Sequence, residues 1–185
     1  MHTTILNKSI GKSVLFFFLL GCGSTGMAQR IALKTNALYW ATLSPNIGGE
    51  FRLARHFTLD MNVAGNFISS DKRQLKFQQF APELRYWPGR PMARNFFGIT
   101  TSYTNFNLRF NKNCYDGDAF AAGLAYGFNW VIGGRWNIEA SLGAGLLSYR
   151  VFDYKTDTQK PLSPNKNKVI LAPIKAEIAF TYLLY

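Results

Sequence analysis

Residues 120–146 have the sequence FAAGLAYGFNWVIGGRWNIEASLGAGL, in which large and small side chains alternate. In 120–132 every second residue is apolar and mostly bulky, while the residues between are mostly Ala, Gly or Asn. The same alternation resumes in 136–146, after the glycine pair 133–134. Because successive strand residues point to opposite faces, the pattern predicts two β-strands joined by a tight hairpin.

The two faces of these strands differ in what they can pack against. One face carries Trp130, Trp136 and Leu142, whereas the other carries Gly, Ala, Ser and Asn together with Glu139. Small and charged residues cannot fill a dry core, so the bulky face is predicted to point to lipid and the small face to the interior of a barrel. Alternation alone does not exclude an ordinary soluble sandwich, which stays the alternative.

Similar segments recur along the chain and predict eight strands. The mature chain has no run of about 18 apolar residues that could form a membrane helix, so insertion requires a closed barrel. We therefore predict an all-β fold, an eight-stranded antiparallel up-and-down transmembrane β-barrel. The predicted strands are residues 31–42, 45–53, 57–67, 77–87, 95–109, 118–132, 135–148 and 171–184.

The links between these strands alternate in length. Short turns are predicted at 54–56, 88–94 and 133–134, and longer outer links at 68–76, 110–117 and 149–170. Short periplasmic turns and longer outer loops are typical of outer-membrane barrels. The short link near Leu43 and Ser44 is an exception, and segment 95–109 fits either facing.

The N-terminus is predicted to be an export signal. Lys8 and Lys12 precede the apolar run 14–20, and small residues follow up to Ala28. This predicts a signal peptide over 1–28 and an outer-membrane barrel domain over 29–185. A lipoprotein signal processed at Cys22 is the competing interpretation.

The charge of the exported chain bears on its partners. Loss of Lys8 and Lys12 with the signal lowers the net charge from +11 to +9. For a basic chain in the bacterial outer membrane we expect contact with membrane lipid and lipopolysaccharide phosphates, and none with nucleic acid. Cys114 would be the one remaining thiol, so no internal disulfide is expected.

Charged residues on the inward positions predict a network inside the barrel. All four Glu residues and Asp60 fall on inward positions, and five cations match them in number. Because unpaired charges in a narrow interior are costly, this balance predicts a ladder of salt bridges and a plugged barrel. A proton relay, a gate or a small polar ligand site is the functional alternative. The predicted members are Lys34, Glu50, Arg52, Asp60, Glu83, Arg85, Arg135, Glu139, Lys175 and Glu177, with a position at the periplasmic rim as the alternative for Arg135.

The longest predicted outer loop, 149–170, carries a basic patch. Its five cations outnumber Asp153 and Asp157, which gives a net charge of +3. We expect this patch to bind lipopolysaccharide phosphates or an acidic surface protein, although a solvated charged loop explains it equally well. The five cations are Arg150, Lys155, Lys160, Lys166 and Lys168.

Several short segments spread over the predicted barrel form a recognisable set, namely Leu33–Asn36, Pro45–Glu50, Pro82–Trp87, Gly127, Trp136–Glu139, Gly143–Gly145 and Pro173–Lys175. In these segments the chain resembles a Bacteroidota family of small outer-membrane barrels known only as a domain of unknown function, akin to eight-stranded OmpA/OmpX-like barrels. The resemblance implies an outer-membrane location, sometimes with genes near those of surface fimbriae, and it implies no established activity.

The sequence offers few residues for chemistry. His56 falls in a predicted periplasmic turn, and neither a metal site nor a cofactor site is expected. Tyr185 is the kind of terminal aromatic residue that the barrel-assembly machinery reads, although Leu184 has the lipid-facing parity. We predict a non-enzymatic barrel with a structural, adhesive or accessory role at the cell surface. A narrow channel for small solutes is the alternative, and a lipid-modifying enzyme is the third candidate.

Overall fold

The computed structural model describes residues 31–69, 73–110, 113–155, 161, 164 and 166–184. The predicted signal peptide, with its candidate processing sites at Ala28 and Cys22, lies outside the described residues. So do Lys160 of the predicted basic patch and the terminal Tyr185.

Eight antiparallel strands form one sheet that closes into a barrel. Each strand pairs with the next along the chain, and β8 pairs with β1, so the up-and-down topology predicted from the sequence is confirmed. The elements in chain order are β1 (Ile31–Asn36), α1 (Ala37–Ala41), β2 (Asn46–Arg52), β3 (Phe57–Ser69), β4 (Arg73–Tyr86), β5 (Arg94–Phe110), β6 (Asn113–Val131), β7 (Trp136–Lys155) and β8 (Lys166–Leu184).

The barrel carries apolar side chains outside and polar side chains inside. Trp136 is 55% exposed and Leu142 is 70% exposed, whereas Glu139 is fully buried. The alternation along β7 therefore divides the strand as predicted, with bulky residues outward and charged residues inward. A soluble barrel or sandwich has the reverse arrangement, with its large apolar residues in the core.

The structure shows which residues of strand β5 face the interior, a choice that its sequence leaves open. Phe96 and Thr100 are buried, while Phe97 and Ile99 are 53% and 61% exposed. Pairing with β4 sets this register, because Arg85 lies opposite Gly98 and both point inward. The neighbouring strand, rather than the composition of β5 itself, thus determines which of its residues face the interior.

Several predicted boundaries were wrong at one end of the barrel. We call it the outer end; the turns at 53–56, 87–93 and 132–135 lie at the opposite, lower end. Strand β1 ends at Asn36 instead of residue 42, and α1 follows it directly. The outer links are shorter than predicted, because β6 begins at Asn113 and β7 continues to Lys155. These outer strand extensions lack the strict apolar alternation of the lower barrel, so periodicity alone did not reveal them.

The short segment 37–45 completes the wall above β1 and β2, which have only six and seven residues. On one side, Asn36 Oδ1 accepts hydrogen bonds from Leu38 N at 3.0 Å and from Ile178 N on β8 at 3.3 Å. On the other side, Asn66 Nδ2 of β3 donates to Thr42 O at 3.1 Å. The segment is therefore tied to both neighbouring strands.

Within this segment, α1 directs its side chains to both sides of the wall. Leu38 and Trp40 are exposed outside, and Trp40 Nε1 donates to Thr35 Oγ1 at 2.7 Å. Tyr39 points the other way, and its hydroxyl donates to Gln79. Within the described ranges, no helix has the length and apolar character needed to cross a membrane.

A bulge interrupts β8 and shifts its register. Gly143 lies opposite Lys175 while the next residue, Ala144, lies opposite Pro173, so Ile174 is the extra residue. Below the bulge, even-numbered residues such as Ile178 face outward. Above it the parity reverses, because Leu171 is opposite the outward-facing Leu146.

Candidate functional site

The buried charge cluster consists of eight inward side chains near the middle of the barrel. They come from β1, β2, β3, β4, β7 and β8, and each is buried or nearly so. Barrel closure brings them together although they are up to 143 positions apart in sequence, as between Lys34 and Glu177. The members are Lys34, Glu50, Asp60, Glu83, Arg85, Glu139, Lys175 and Glu177.

Strand register places three carboxylates side by side in this cluster. Glu50 lies opposite Asp60, and Asp60 lies opposite Glu83 on the next strand. Like charges on directly opposed strand positions repel each other. The arrangement therefore requires a cation within reach of all three.

Arg85 supplies that cation and is the centre of the cluster. Its Nε donates to Glu83 Oε1 at 2.7 Å, and its Nη2 donates to Asp60 Oδ2 at 2.8 Å. Its Nη1 donates to Glu50 Oε2 and to Glu139 Oε2, each at 3.0 Å. Arg85 thus donates to four of the five carboxylates, and Glu177 Oε2 lies 3.7 Å from its Nη2.

Two lysines complete the positive charge. Lys34 Nζ lies 2.9 Å from Glu139 Oε1 and 3.5 Å from Asp60 Oδ1. Lys175 Nζ bridges Glu83 at 2.8 Å and Glu177 at 2.9 Å. Every carboxylate in the cluster therefore contacts at least one cation.

The charges in the cluster do not balance. Five carboxylates meet three cations, so the cluster has a formal charge of −2, whereas the sequence predicted five against five. Neutral groups stabilise the excess: Thr58 Oγ1 donates to Glu50 at 2.6 Å, and Asn62 Nδ2 donates to Asp60 at 2.7 Å. Hydrogen bonds of this kind to an ionised group are stronger than those between neutral groups.

The structure places Arg52 and Arg135 outside the charge cluster, which corrects the prediction for Arg52 and agrees with the rim alternative for Arg135. Arg52 is the last residue of β2, and its Nε donates to Ala54 O at 3.3 Å in the following turn. Arg135 lies exposed in the turn before β7, where its Nη1 donates to Tyr182 Oη at 3.2 Å. Parity predicts which face a residue occupies but not its height along the barrel, and both arginines lie at the lower rim.

An aromatic floor, formed by Trp87 and Phe96, closes the barrel below the charge cluster. Both side chains are fully buried, with ring centroids 4.8 Å apart. The guanidinium carbon of Arg85 lies 4.3 Å from the Phe96 ring centroid, and Trp87 Nε1 donates to Thr58 Oγ1 at 2.8 Å. This floor was not predicted from the sequence, although Trp87 shares the parity of Glu83 and Arg85 on the preceding strand.

A small polar cavity of about 80 Å³ lies beside the charge cluster, next to α1. Lys175 and Glu177 lie on its cluster side, and Tyr39 and Gln79 line it as well. A cavity of this volume holds a few water molecules but not a larger solute. Its other polar lining residues are Asn36, Asn46, Asn62, Thr100 and Ser102.

Four of the five residues of the predicted basic patch lie on strands rather than on a loop. Arg150 and Lys155 belong to β7, and Lys166 and Lys168 belong to β8. Two of these cations have acidic partners: Arg150 Nη2 lies 2.9 Å from Asp118 Oδ2, and Lys166 Nζ lies 2.7 Å from Asp153 Oδ2. These carboxylates raise the pKa of each cation above its ordinary value and reduce the positive field of the patch.

Among the described residues, the one histidine is His56. His56 Nδ1 lies 2.9 Å from Trp87 O, in the turn that joins β2 to β3. Among the residues described, no group of three or more His, Cys, Asp or Glu side chains is arranged to hold a metal ion. The buried charge cluster is therefore the main polar site of the described barrel, and its charged side chains are paired with one another.

Comparison with known proteins identifies a family. No curated protein and no solved structure matches the chain. The family model described as "Protein of unknown function (DUF3575)" matches residues 14–184, which include all eight strands. The chain belongs to this family.

Proposed function

We propose that the protein is an integral β-barrel of the bacterial outer membrane that serves as a non-catalytic anchor at the cell surface. The observation that carries the proposal is the inverted distribution of side chains, apolar outside and ionic inside. An exposed apolar surface that runs around a whole barrel is far larger than the patches that soluble monomers tolerate. Lipid is the solvent that removes this penalty.

Aromatic side chains at the lower rim support a membrane boundary there. Phe57 packs against Tyr86 with ring centroids 5.4 Å apart, and Trp136 packs against Tyr182 at 4.8 Å. Trp130, which is 49% exposed, lies on the neighbouring strand. Aromatic girdles at the level of the lipid headgroups are a general feature of outer-membrane barrels.

The lengths of the strands support one orientation in this membrane. The turns at 53–56, 87–93 and 132–135 lie at the same end as the start of β1 and the end of β8. In the proposed topology this end is periplasmic, and the extended outer ends of β5 to β8 are at the cell surface. An accessory role at a surface assembly such as fimbriae, near whose genes those of the resembled family sometimes lie, requires this orientation.

The filled interior favours an anchor over a channel. Arg85 and its carboxylate partners occupy the middle of the barrel, and Trp87 and Phe96 occupy the lower end. Eight-stranded barrels have room for little more than their own side chains. We therefore expect the purified protein to show no steady conductance in planar bilayers, and a stable open state would favour the channel instead.

Quenching of tryptophan fluorescence by brominated lipid tests the proposal directly. The chain has four tryptophans, of which Trp40, Trp130 and Trp136 are exposed on the outer surface and Trp87 is buried inside. Single-tryptophan variants, with Phe at the other three positions, are refolded into vesicles containing lipids brominated on their acyl chains. We expect strong quenching of Trp130 and Trp136 and little quenching of Trp87, which serves as the internal control.

The outcomes of this experiment are distinct. Equal quenching of Trp87 and Trp130 would mean that the barrel is not inserted with its apolar surface toward lipid. Strong quenching of Trp40 would in addition place α1 in the membrane wall. Recovery of the protein in the outer-membrane fraction of cells, with lower gel mobility after heating, is the expected companion result.

The basic residues of the outer strands support a contact with lipopolysaccharide. Lys155 and Lys168 are exposed near the outer end of the barrel, where the phosphates of the outer leaflet lie in the proposed topology. Replacement of the five predicted patch residues by Gln should reduce the amount of lipopolysaccharide that co-purifies with the protein. Unchanged co-purification would exclude this contact and leave the anchor role intact.

A further inference from the structure

Strand β8 is paired on both sides only in its lower part. Strand β1 pairs with Ala179–Leu184, whereas β7 pairs with β8 as far as Lys166. In the described part of the chain, no strand pairs with the β1 side of residues 166–172. The outer part of β8 is therefore a strand edge, which we call the β8 edge and define as residues 166–172.

The direction of the backbone groups along this edge follows from the register. Ile178 N donates to Asn36 Oδ1, so below the bulge the even-numbered N–H groups of β8 point toward β1. The bulge at Ile174 reverses the parity, and the N–H and C=O groups of Asn167, Val169 and Leu171 point away from β7. Pro173, the next residue of this series, lacks an N–H, as is typical of a proline at an edge.

The β8 edge lies outside the membrane in the proposed topology. A tilted strand crosses the hydrocarbon region with about nine to eleven residues, and 174–184 already provides that length. Both faces of the strand are exposed from Lys166 to Leu171, whereas below the bulge exposed and buried residues alternate. Unpaired backbone groups at this height face water, where they are available to a partner.

The side chains of the edge indicate the chemistry of its partner. Lys166 and Lys168 lie on the inner face, Val169 and Leu171 are 64% and 80% exposed on the outer face, and the segment has no acidic residue. Pairing with a second copy would bring two positively charged strands together, which is unfavourable. An incoming strand with acidic residues on one face and aliphatic residues on the other matches both faces.

The geometry points to the β8 edge as a docking site for an extended, acidic segment of another surface protein, which adds a strand to the barrel wall. Main-chain hydrogen bonds to Asn167, Val169 and Leu171 would hold the segment, and Lys168 would select its acidic residues. This inference rests on the proposed function in one respect, namely that the outer strands lie at the cell surface.

A peptide-binding measurement on the detergent-solubilised full-length barrel tests the site. The probe is a fluorescein-labelled peptide, Glu-Val-Glu-Ile-Thr-Val-Glu-Leu, followed by fluorescence anisotropy. The double variant V169P/L171P removes two N–H groups that point away from β7, and the matched variant V169A/L171A keeps them. We expect saturable binding to the native protein, a loss of roughly tenfold or more in affinity for the Pro variant, and a smaller loss for the Ala variant.

A charge reversal keeps the inference testable if the Pro variant fails to fold, which its gel mobility with and without heating would reveal. The variant K168E should weaken binding of the acidic peptide and strengthen binding of the same peptide with Lys in place of Glu. Equal binding of both peptides by the native protein would overturn the assignment, as would unchanged binding by a folded Pro variant. A dimer that the Pro variant dissociates would assign the edge to a second copy instead.

The two proposals can fail independently. The peptide measurement is made in detergent and does not depend on insertion into a bilayer. Loss of the tryptophan quenching pattern would remove the anchor role without affecting peptide binding. Absence of peptide binding, with the quenching pattern intact, would remove only the docking site.

Discussion

The lower and outer halves of the barrel contain ion pairs of the same length in very different surroundings. Arg85 Nη2 lies 2.9 Å from Glu139 Oε1, and both side chains are fully buried. Arg150 Nη2 also lies 2.9 Å from Asp118 Oδ2, but the Arg150 side chain is 58% exposed. Water screens the attraction between Arg150 and Asp118, so this pair contributes little to stability. Water does not reach Arg85 and Glu139, so their charges have to be stabilised by the surrounding side chains, and loss of one partner is costly.

The same contrast appears in the strands themselves. In the lower half, eight strands close the barrel, and side chains alternate between the exposed apolar surface and the buried interior. In the outer half, strands β5 to β8 continue, and residues of β8 such as Lys168 and Val169 are exposed on opposite faces. The proposed lipid boundary explains the difference, because only the hydrocarbon region requires full backbone pairing and strict alternation.

Replacement of Arg85 should have the largest effect. The variant R85M leaves five carboxylates with two lysines in a closed interior, and loss of one partner from a buried ionic network costs about 3–5 kcal/mol. We expect this loss in the free energy of unfolding, measured by urea titration in lipid vesicles, or complete failure of the barrel to form.

The matched control is R52M at the lower rim. Arg52 makes one hydrogen bond to a backbone oxygen in the turn and has the same inward parity, so its replacement should change the free energy of unfolding by about 0.5 kcal/mol or less. If R85M and R52M lose similar amounts of free energy of unfolding, the position of Arg85 in the centre of the cluster does not matter for stability. The triple variant R85M/E83Q/E139Q should recover part of the lost stability, because it lowers the formal charge of the cluster from −3 (five carboxylates, two lysines) to −1 (three carboxylates, two lysines).

A charge on the outer surface locates the boundary between the two halves. Leu142 is 70% exposed in the lower barrel, and an Arg near the middle of the bilayer costs about 2–4 kcal/mol. The variant L142R should therefore lose that much free energy of unfolding in vesicles. The same change at Val169, which lies above the proposed boundary, should cost about 0–1 kcal/mol.

The test is the difference in free energy of unfolding between L142R and V169R in vesicles. If L142R and V169R are equally stable in vesicles, the outer surface of the lower barrel does not face lipid. When the same titrations are done in detergent, which forms no bilayer of fixed thickness, the difference in free energy of unfolding between the two variants should be smaller.

The sequence predicted the lower half of the barrel well, and the reason is physical. Period-two alternation follows directly from strand geometry between two unlike environments, so the facing of Trp136, Leu142 and Glu139 could be inferred from one strand alone. The strand count also followed, because each pass across the barrel repeats the pattern. The predicted membrane environment itself stays a prediction.

The outer half was harder to predict, because its determinants are not local. Strands β7 and β8 extend to Lys155 and from Lys166 without an apolar alternation, so these ends resembled a loop. Segment 37–42 contains Tyr39 and Trp40, residue types that are common in strands, yet Asn36 ends the strand by accepting a hydrogen bond from Leu38 N at 3.0 Å. Capping by Asn is a local signal that competed with this strand propensity and prevailed.

The members of the charge cluster could not be predicted from the sequence alone, because membership depends on the depth of each residue along the barrel. The eight members of the cluster all have inward parity, but so do Arg52 and Arg135, which lie at the rim. Depth along the barrel depends on strand tilt and register, and neither can be read from one strand. The excess of negative charge in the cluster follows from that difference, since the two missing cations are these two arginines.

A glycine in the lower half tests how tightly the interior is packed. A Cβ at Gly127 would lie 2.3 Å from Cζ of Phe96, which is fully buried in the aromatic floor. The variant G127A should therefore cost about 1–3 kcal/mol, because the ring has to move within a packed interior. At Gly133, in the following turn, such a Cβ would have no atom within 4 Å. G133A is therefore the matched control, and its free energy of unfolding should stay close to that of the native protein. Urea titration in vesicles measures both.

The smallest effect is expected for the exposed ion pair of the outer half. The variant D118N removes the carboxylate that accepts from Arg150 Nε at 3.2 Å and from Nη2 at 2.9 Å. Because Arg150 is largely exposed, water replaces these hydrogen bonds, and the urea midpoint should stay within experimental error of the native value. Any residual difference should disappear in about 1 M salt, where the screening length falls to about 3 Å. A loss comparable to that of R85M would mean that the outer strands share the tightly coupled interior of the lower barrel, and the division between the two halves would then be wrong.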